Sequence, residues 1–224
     1  WRDRRLTEVS ASSVSRHFDI IRSAIRFAGE EWEWDINMAP FDKLRISKPQ
    51  QAKKWRRIKH SDLQAILWAA DQAEVDWLRP AVEFALETAL RRSELCRVCF
   101  DDVNVEEHTL VVRDRKNGST DTIPLTPKAR EIIKAQRAKG EGGELFPCTV
   151  NSLYMAWKRC KKRSGVSGVR FHDFRHEATS RFFDMGLSPI EVASITGHKT
   201  LSQVMRYSHA DLSKTLGILE GASS

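Results

Sequence analysis

Two short runs rich in β-branched residues, about Thr109–Arg113 and Asp121–Leu125, flank the segment Asp114-Arg115-Lys116-Asn117-Gly118-Ser119. The Asn-Gly dipeptide marks a hairpin turn, because both central positions of such a turn need positive φ. Around this hairpin the apolar residues recur instead at three- and four-residue spacing, the period of a helix with one buried face. The expected fold is therefore mainly α with a small antiparallel β-sheet (α+β).

The helical pattern starts at Ser12 or Ser13, with Val14, Phe18, Ile21, Ile25, Ala28 and Trp32 on one face and a serine N-cap. Ser61 with Gln64 fits a capping box ahead of Leu63, Ile66, Leu67 and Ala70. Leu78, Val82, Leu86 and Leu90 predict a second helix with Pro80 in its first turn, and Leu95 to Phe100 reads as an apolar helical continuation. Thr126-Pro127 opens another helix after the hairpin. Further helices are expected around Ser152–Arg163, Phe171–Met185, Pro189–Thr196, Leu201–Arg206 and Asp211–Leu219, with Gly165, Gly186 and Gly197 as C′ residues.

A chain of 224 residues suffices for one sizeable domain and a smaller piece. A hydrophobic content of 41% excludes global disorder, and the formal charge of +7 favours a polyanionic partner. No apolar stretch reaches membrane-spanning length, and Trp1-Arg2-Asp3-Arg4-Arg5 is not a signal peptide. The chain has no initiator methionine, and one amphipathic helix cannot bury its apolar face alone. The expectation is a start partway through a longer protein. Lys43, Arg45, Lys48, Lys53, Lys54, Arg56, Arg57 and Lys59 crowd a stretch with little periodicity between Pro40 and Ile58. Three parts are expected: a helical fragment over 1–46, a basic linker over 47–54, and the larger domain over 55–224. The linker reads equally as a solvated segment or as one tracking a DNA backbone.

Cys96 and Cys99 form a Cys-x-x-Cys pair, but Cys148 and Cys160 offer no second closely spaced pair. A zinc site is not expected, and Cys96 and Cys99 read as small buried hydrophobes.

Chemistry-bearing residues gather late in the chain. His172 and Arg175, three apart, share one face of a helical turn, and Gly197-His198 and Tyr207 follow. Tyr207 is one of two tyrosines. Phosphodiester cleavage by a protein nucleophile needs an activated oxygen, cations on the phosphoryl oxygens and an acid for the departing sugar oxygen. A phenol near pKa ~10 costs about 4 kcal/mol to ionise at neutral pH, so a base or a cluster of cations must offset that cost. Arginine suits the phosphate, because its planar fork donates two parallel hydrogen bonds and stays charged.

Upstream lies Thr88-Ala89-Leu90-Arg91-Arg92-Ser93-Glu94-Leu95. With Lys116 on the hairpin, His172 and Arg175, Gly197-His198 and Tyr207, it forms an ordered set. This set resembles the tyrosine recombinases, the phage-integrase family, over nearly all of residues 55–210. The resemblance implies Arg91 and Arg175 as paired clamps on the scissile phosphate. It implies Lys116, flanked closely by Arg113 and Arg115, as the acid for the leaving 5′ oxygen. His172 would be an acid/base group near the nucleophile, His198 would hydrogen-bond the phosphate, and Tyr207 would form a 3′-phosphotyrosine. The covalent bond keeps the energy of the phosphodiester, so no ATP, metal or other cofactor is implied. The implied function is site-specific recombination, integrating or excising a phage or other mobile element. The implied partners are double-stranded DNA, further copies of the chain in a tetrameric synapse, and DNA-bending accessory proteins, with no membrane. A cytoplasmic, DNA-associated protein of bacterial or phage origin follows. Residues 1–46 would be the end of a core-binding domain, and the helix carrying Leu212, Leu216 and Leu219 would dock on a neighbouring protomer.

Two departures from the family pattern stand out. Ala89 replaces a frequent glycine, and Thr196 replaces a common leucine before Gly197. A type IB topoisomerase would share the chemistry but has lysine in place of His172. An inert DNA-binding relative would have lost Tyr207 or an arginine. Glu94 reads as structural, capping its helix or orienting an arginine. His176 and His209 stay outside the set of site residues, Tyr154 reads as core or rim, and Lys158 to Arg163 as a solvated face or phosphate contacts.

Overall fold

The computed structural model describes residues 1–44, 46, 57–115, 118–140 and 143–207, in two compact units, Trp1–Lys54 and Trp55–Ser224. The expected helix at Asp211–Leu219, the Asn117 turn position and most of the basic linker lie outside the described residues. In the first unit, α1 (Arg2–Glu8) precedes α2 (Ala11–Glu31), which buries Val14, Phe18 and Ala28. The N-cap of α2 is Ser10, whose hydroxyl accepts from the Ser13 amide, rather than Ser12 or Ser13. A short α3 (Ala39–Lys43) falls within the expected helical fragment, at the start of the stretch that shows little periodicity.

The second unit is built around α5 (Leu78–Thr88), which packs against α4 (His60–Asp71), α7 (Pro127–Arg137), α8 (Val150–Ser164) and α9 (His172–Asp184). Leu78, Ala81, Val82, Phe84 and Ala85 are all buried, so this helix is apolar nearly all round, as a central helix must be. Pro80 falls in its first turn, where the missing N–H has no helical acceptor to lose. Trp157, Phe171 and Phe174 meet edge to face at 5.1–5.9 Å, fixing the start of α9 against α8.

Strands β1 (Val103–Asn104), β2 (Thr109–Val112) and β3 (Asp121–Pro124) form an antiparallel sheet in the order β1-β2-β3. Leu110 pairs with Ile123, and both are buried with Val112 on one face. The first strand was not anticipated, because two residues carry no readable period. Two further expectations fail. Helix α4 begins after Lys59 with no side-chain cap, so Ser61 lies inside its first turn and forms no capping box. Helix α6 (Arg92–Leu95) stops at Leu95, and a single 3-10 turn at Phe100–Asp102 replaces the expected continuation. Asp102 there is buried and accepts from the Cys99 amide at 3.1 Å and from Arg113 at 2.5 Å, capping a turn that an uninterrupted helix would have removed. Consequently Cys96 is buried, but Cys99 is half-buried.

One network ties the first residues of this unit to α9. The buried Glu177 carboxylate accepts from Arg57 Nη2 at 2.9 Å, from the Ile58 amide at 3.1 Å and from Arg181 at 3.3 Å. Glu177→Ala removes the acceptor for all three donors. Because Arg57 is 43% exposed, water recovers part of that loss. The expected destabilisation is about 2 kcal/mol, read as a lower thermal midpoint. A loss under about 0.5 kcal/mol would mean that the network holds no more than a surface ion pair. No helix among the described residues is long and apolar enough to cross a membrane.

Candidate active site

The site assembles at four junctions of the second unit: the step from α5 to α6, the start of α9, the end of α10 (Pro189–Thr196) and the residue that follows α11 (Leu201–Met205) by two positions. Helix α5 ends on Ala89 in the left-handed region, φ 53°. A Cβ there costs on the order of 1 kcal/mol relative to glycine. The turn it makes aims the Ala89 carbonyl at Arg175 and puts Arg91 at the N-cap of α6. The buried Glu94 carboxylate then accepts from the Arg91 amide at 2.9 Å and from its guanidinium at 2.5 Å. Burial opposes ionisation of Glu94, yet these two bonds hold it below the usual carboxylate range, with Arg175 adding at 3.9 Å. Glu94 thus both caps its helix and orients two arginines.

Arg175 is 4% exposed, one turn into α9. Its Nη1 donates to the Ala89 carbonyl at 2.7 Å and its Nη2 to the Thr196 carbonyl at 2.5 Å. Burial, then the neighbouring Arg91, pushes it down to about 10, so it is still a cation at neutral pH. Through these bonds α9 holds the ends of both α5 and α10.

His198 follows Gly197, which closes α10 at φ 65°. A Cβ at position 197 would collide with the Arg115 guanidinium, so glycine serves both the turn and the packing. Arg115 is buried, donates to the Ile195 carbonyl at 3.0 Å and pairs with Asp121 at 3.0 Å. The His198 ring has its Nδ1 2.6 Å from the Thr196 hydroxyl and its Nε2 3.5 Å from Arg175. The single hydroxyl proton of Thr196 goes to the Val192 carbonyl at 2.6 Å. His198 Nδ1 must therefore be the donor, which leaves the Nε2 lone pair facing Arg175. Burial, then Arg175 and Arg91, lowers His198 to about 4 and keeps this neutral form at pH 7. Thr196, which departs from the family's common leucine, sets the tautomer.

Tyr207 is 3% exposed, and its hydroxyl lies 2.5 Å from His176 Nδ1. Burial raises the phenol above its usual value, against the pull of Arg206 and Arg175. Burial followed by His172 lowers His176 to about 4, so its imidazole is neutral and able to accept a proton. His172, the expected partner, is solvent-exposed and packs its ring edge-on to His176 at 4.7 Å. Desolvation by its surroundings, then Arg175, lowers it as well. Sequence reasoning left His176 out. Its spacing of four from His172 was the available signal, since it puts both rings on one face of α9.

Arg91, Arg175 and His198 are thus joined through Glu94 and the Arg175–His198 contact, Tyr207 and His176 form a second pair whose phenol ring lies 6.4 Å from that of His198, and His172 stands at the rim. Lys116 lies outside the described residues. Its neighbours are committed elsewhere, Arg113 to Asp102 and Arg115 to Asp121. Beside His172 opens a cleft of about 560 Å³ lined by Arg92, Tyr154, Lys158, Lys161 and Arg170, with Arg92 over the Tyr154 ring at 5.4 Å. The other end of the α8 charge run is structural, since Arg163 donates to the Ala69 carbonyl at 2.8 Å. Among the described residues no His, Cys, Asp and Glu side chains group to hold a metal ion.

Residues 56–214 match the phage integrase family. A shufflon-specific DNA recombinase of Escherichia coli is 27% identical over 93% of this chain. The chain spans 56% of that protein's length. A lambda integrase dimer bound to a COC′ core site shares the fold with a TM-score of 0.76 at 21% identity, over 92% of this chain and 76% of that one. A lambda integrase tetramer bound to a Holliday junction gives 0.73 at 22% identity, over 89% and 62%.

Proposed function

The chain belongs to the phage integrase family, and from that membership together with the site geometry we propose that it cleaves and rejoins DNA strands by site-specific recombination. One observation carries the reading: the Tyr207 hydroxyl rests on a neutral imidazole beside an arginine that is buried yet still charged. The phenol attacks the scissile phosphorus as its proton passes to His176 Nδ1. The P–O5′ bond breaks, which leaves a 3′-phosphotyrosine and a free 5′ hydroxyl. Arg91 and Arg175 bind the non-bridging oxygens, where negative charge grows in the transition state. Their attraction also favours the phenolate that burial disfavours. Lys116 supplies the leaving oxygen's proton. His198 Nε2, unprotonated in the free protein, takes a proton from solvent as the anionic phosphodiester approaches, and then donates a hydrogen bond to a phosphoryl oxygen. Attack of a partner strand's 5′ hydroxyl on the phosphotyrosine reverses the steps and joins the DNA.

Residues 55–224 act as the catalytic domain, 47–54 as a linker and 1–46 as the end of a core-binding domain. The dimer and tetramer seen for lambda integrase on DNA support assembly of this chain on duplex DNA, with a tetramer as the synapse; DNA-bending proteins are proposed as accessory partners. A nicked duplex whose cleaved fragment diffuses away tests the chemistry: a covalent protein–DNA adduct should accumulate without metal or nucleotide, and no adduct on any integration-site DNA refutes it.

The cleft cations serve phosphates under this reading. DNA affinity should fall steeply with salt, with a slope of about −0.9 per phosphate contact in log–log form. Lys158→Ala and Arg170→Ala should each flatten the slope by about one without changing sequence preference. Unchanged slopes in both variants would place the DNA elsewhere.

A further inference from the structure

Two thiols 52 residues apart in sequence meet inside the second unit. Cys96 closes α6, whose N-cap is Arg91, and Cys148 immediately precedes Thr149, the N-cap of α8. Their sulfurs are 3.7 Å apart. Backbone pairing holds the two segments face to face: the Leu145 amide donates to the Val98 carbonyl at 2.8 Å, and the Phe100 amide to the Gly143 carbonyl at 2.9 Å. Both thiols are free and nearly buried, at 6% and 8% exposure. The other two are engaged elsewhere: Cys160 points at the Ile66 carbonyl and Cys99 at that of Arg97.

We propose that Cys96 and Cys148 are an oxidisable dithiol, which a peroxide closes reversibly into a disulfide that restrains α6 and damps the action of Arg91. The Cys96 thiolate attacks one peroxide oxygen, forming a sulfenic acid and releasing hydroxide. The Cys148 sulfur then displaces the sulfenic oxygen, which leaves as water with the Cys148 proton. Two thiols lose two electrons and one peroxide becomes two waters. The hydrogen bond from Cys148, with Arg92 and Arg97 nearby, holds the Cys96 thiol below its usual value, while the same contact and burial push Cys148 up. Cys96 is therefore the thiol attacked first. In a reducing compartment the pair stays open, which suits a transient, regulatory bond.

Closure requires the sulfurs to approach by roughly 1.6 Å. Helix α6 is a single turn, and Arg91 is fixed at its far end by Glu94. An ångström-scale displacement of a phosphate-binding group is enough to cost up to about 10²-fold in rate. The damping rests on the recombinase reading, whereas the disulfide does not.

The reduced chain is treated with near-stoichiometric hydrogen peroxide, denatured, alkylated with iodoacetamide and mapped by mass spectrometry. Before alkylation the oxidised chain should be about 2 Da lighter, with a peptide joining Cys96 to Cys148 that dithiothreitol releases. Full alkylation of both thiols after oxidation, or linkage through Cys99 or a second chain, overturns the pairing. In Cys148→Ala the link must vanish and one equivalent of peroxide must leave Cys96 about 16 Da heavier as a sulfenic acid, which a second equivalent takes to about 32 Da as sulfinic acid; an unmodified Cys96 counts against its being the reactive partner. On a nicked duplex, oxidation of the wild-type chain should reduce adduct formation at least about tenfold, reversibly, and leave Cys148→Ala unaffected. A disulfide that forms without changing adduct yield overturns the restraint on Arg91. If the reduced chain forms no adduct at all, the recombinase reading fails, and the mass measurement still decides the dithiol.

Discussion

Tyr207→Phe is expected to lower covalent adduct formation on a nicked duplex by at least about 10⁴, while DNA affinity stays within about threefold. The substitution deletes one oxygen and keeps the ring that packs into the 3% exposed site. Affinity survives because the phenol supplies none of the cations that displace counterions. Stability should fall by only about 1 kcal/mol, since the lost bond to His176 leaves a half-buried imidazole that water can reach. The chain has one other phenol, Tyr154, 46% exposed in the basic cleft under Arg92. Tyr154→Phe should leave adducts intact. Adducts that persist in Tyr207→Phe and disappear in Tyr154→Phe would move the nucleophile into the cleft and undo the assignment of His176 as proton acceptor.

The elements easiest to read in the sequence were those whose signals are local. Thr126-Pro127, Gly165 and Gly197 each act on their own turn of backbone, so they mark the start of α7 and the ends of α8 and α10 where the structure has them. The Asn-Gly dipeptide marked the hairpin for the same reason, and β2 and β3 pair on either side of it. Caps chosen by competition were less legible: Ser10, Ser12 and Ser13 present the same hydroxyl, and α2 is capped by Ser10. The cysteines near α6 misled because Asp102 and the pairing with residues 143–146 end the helical run from outside it. The same gap separates site residues that recur in a known order from those defined by contact. Arg91, His172, Arg175, His198 and Tyr207 enter the proposed site on their order alone. His176 and Thr196 required coordinates, because a proton acceptor or a tautomer lock is defined by distances across the fold. Glu94 fell between the two: its spacing from Arg91 suggested a cap, but its hold on Arg175 spans separate helices.

Arg175→Lys keeps the charge and should still reduce cleavage by about 10²–10³, with a loss of about 1–3 kcal/mol in stability. The reason is the number and placement of donors. Arginine carries five N–H groups in a rigid fork, and lysine three on one nitrogen. Arg175 commits its two terminal nitrogens to the Ala89 and Thr196 carbonyls, 2.7 and 2.5 Å away, and turns Nη2 toward His198. A lysine ammonium cannot stand at both carbonyls, so one is left buried without a donor, and the junction between the ends of α5 and α10 loosens. Those two ends carry Arg91 and His198, so the loss reaches the phosphate through its neighbours as well as directly. Measuring cleavage well below the variant's thermal midpoint separates chemistry from unfolding. Arg91→Lys supplies the contrast. At 22% exposure its guanidinium is bound mainly to Glu94, and a lysine can keep that ion pair. Its stability should therefore change by less than about 1 kcal/mol while cleavage still falls. If Arg175→Lys cleaves within threefold of the parent chain, Arg175 is a strut between two helices, and the phosphate clamp must be built from Arg91 and other cations.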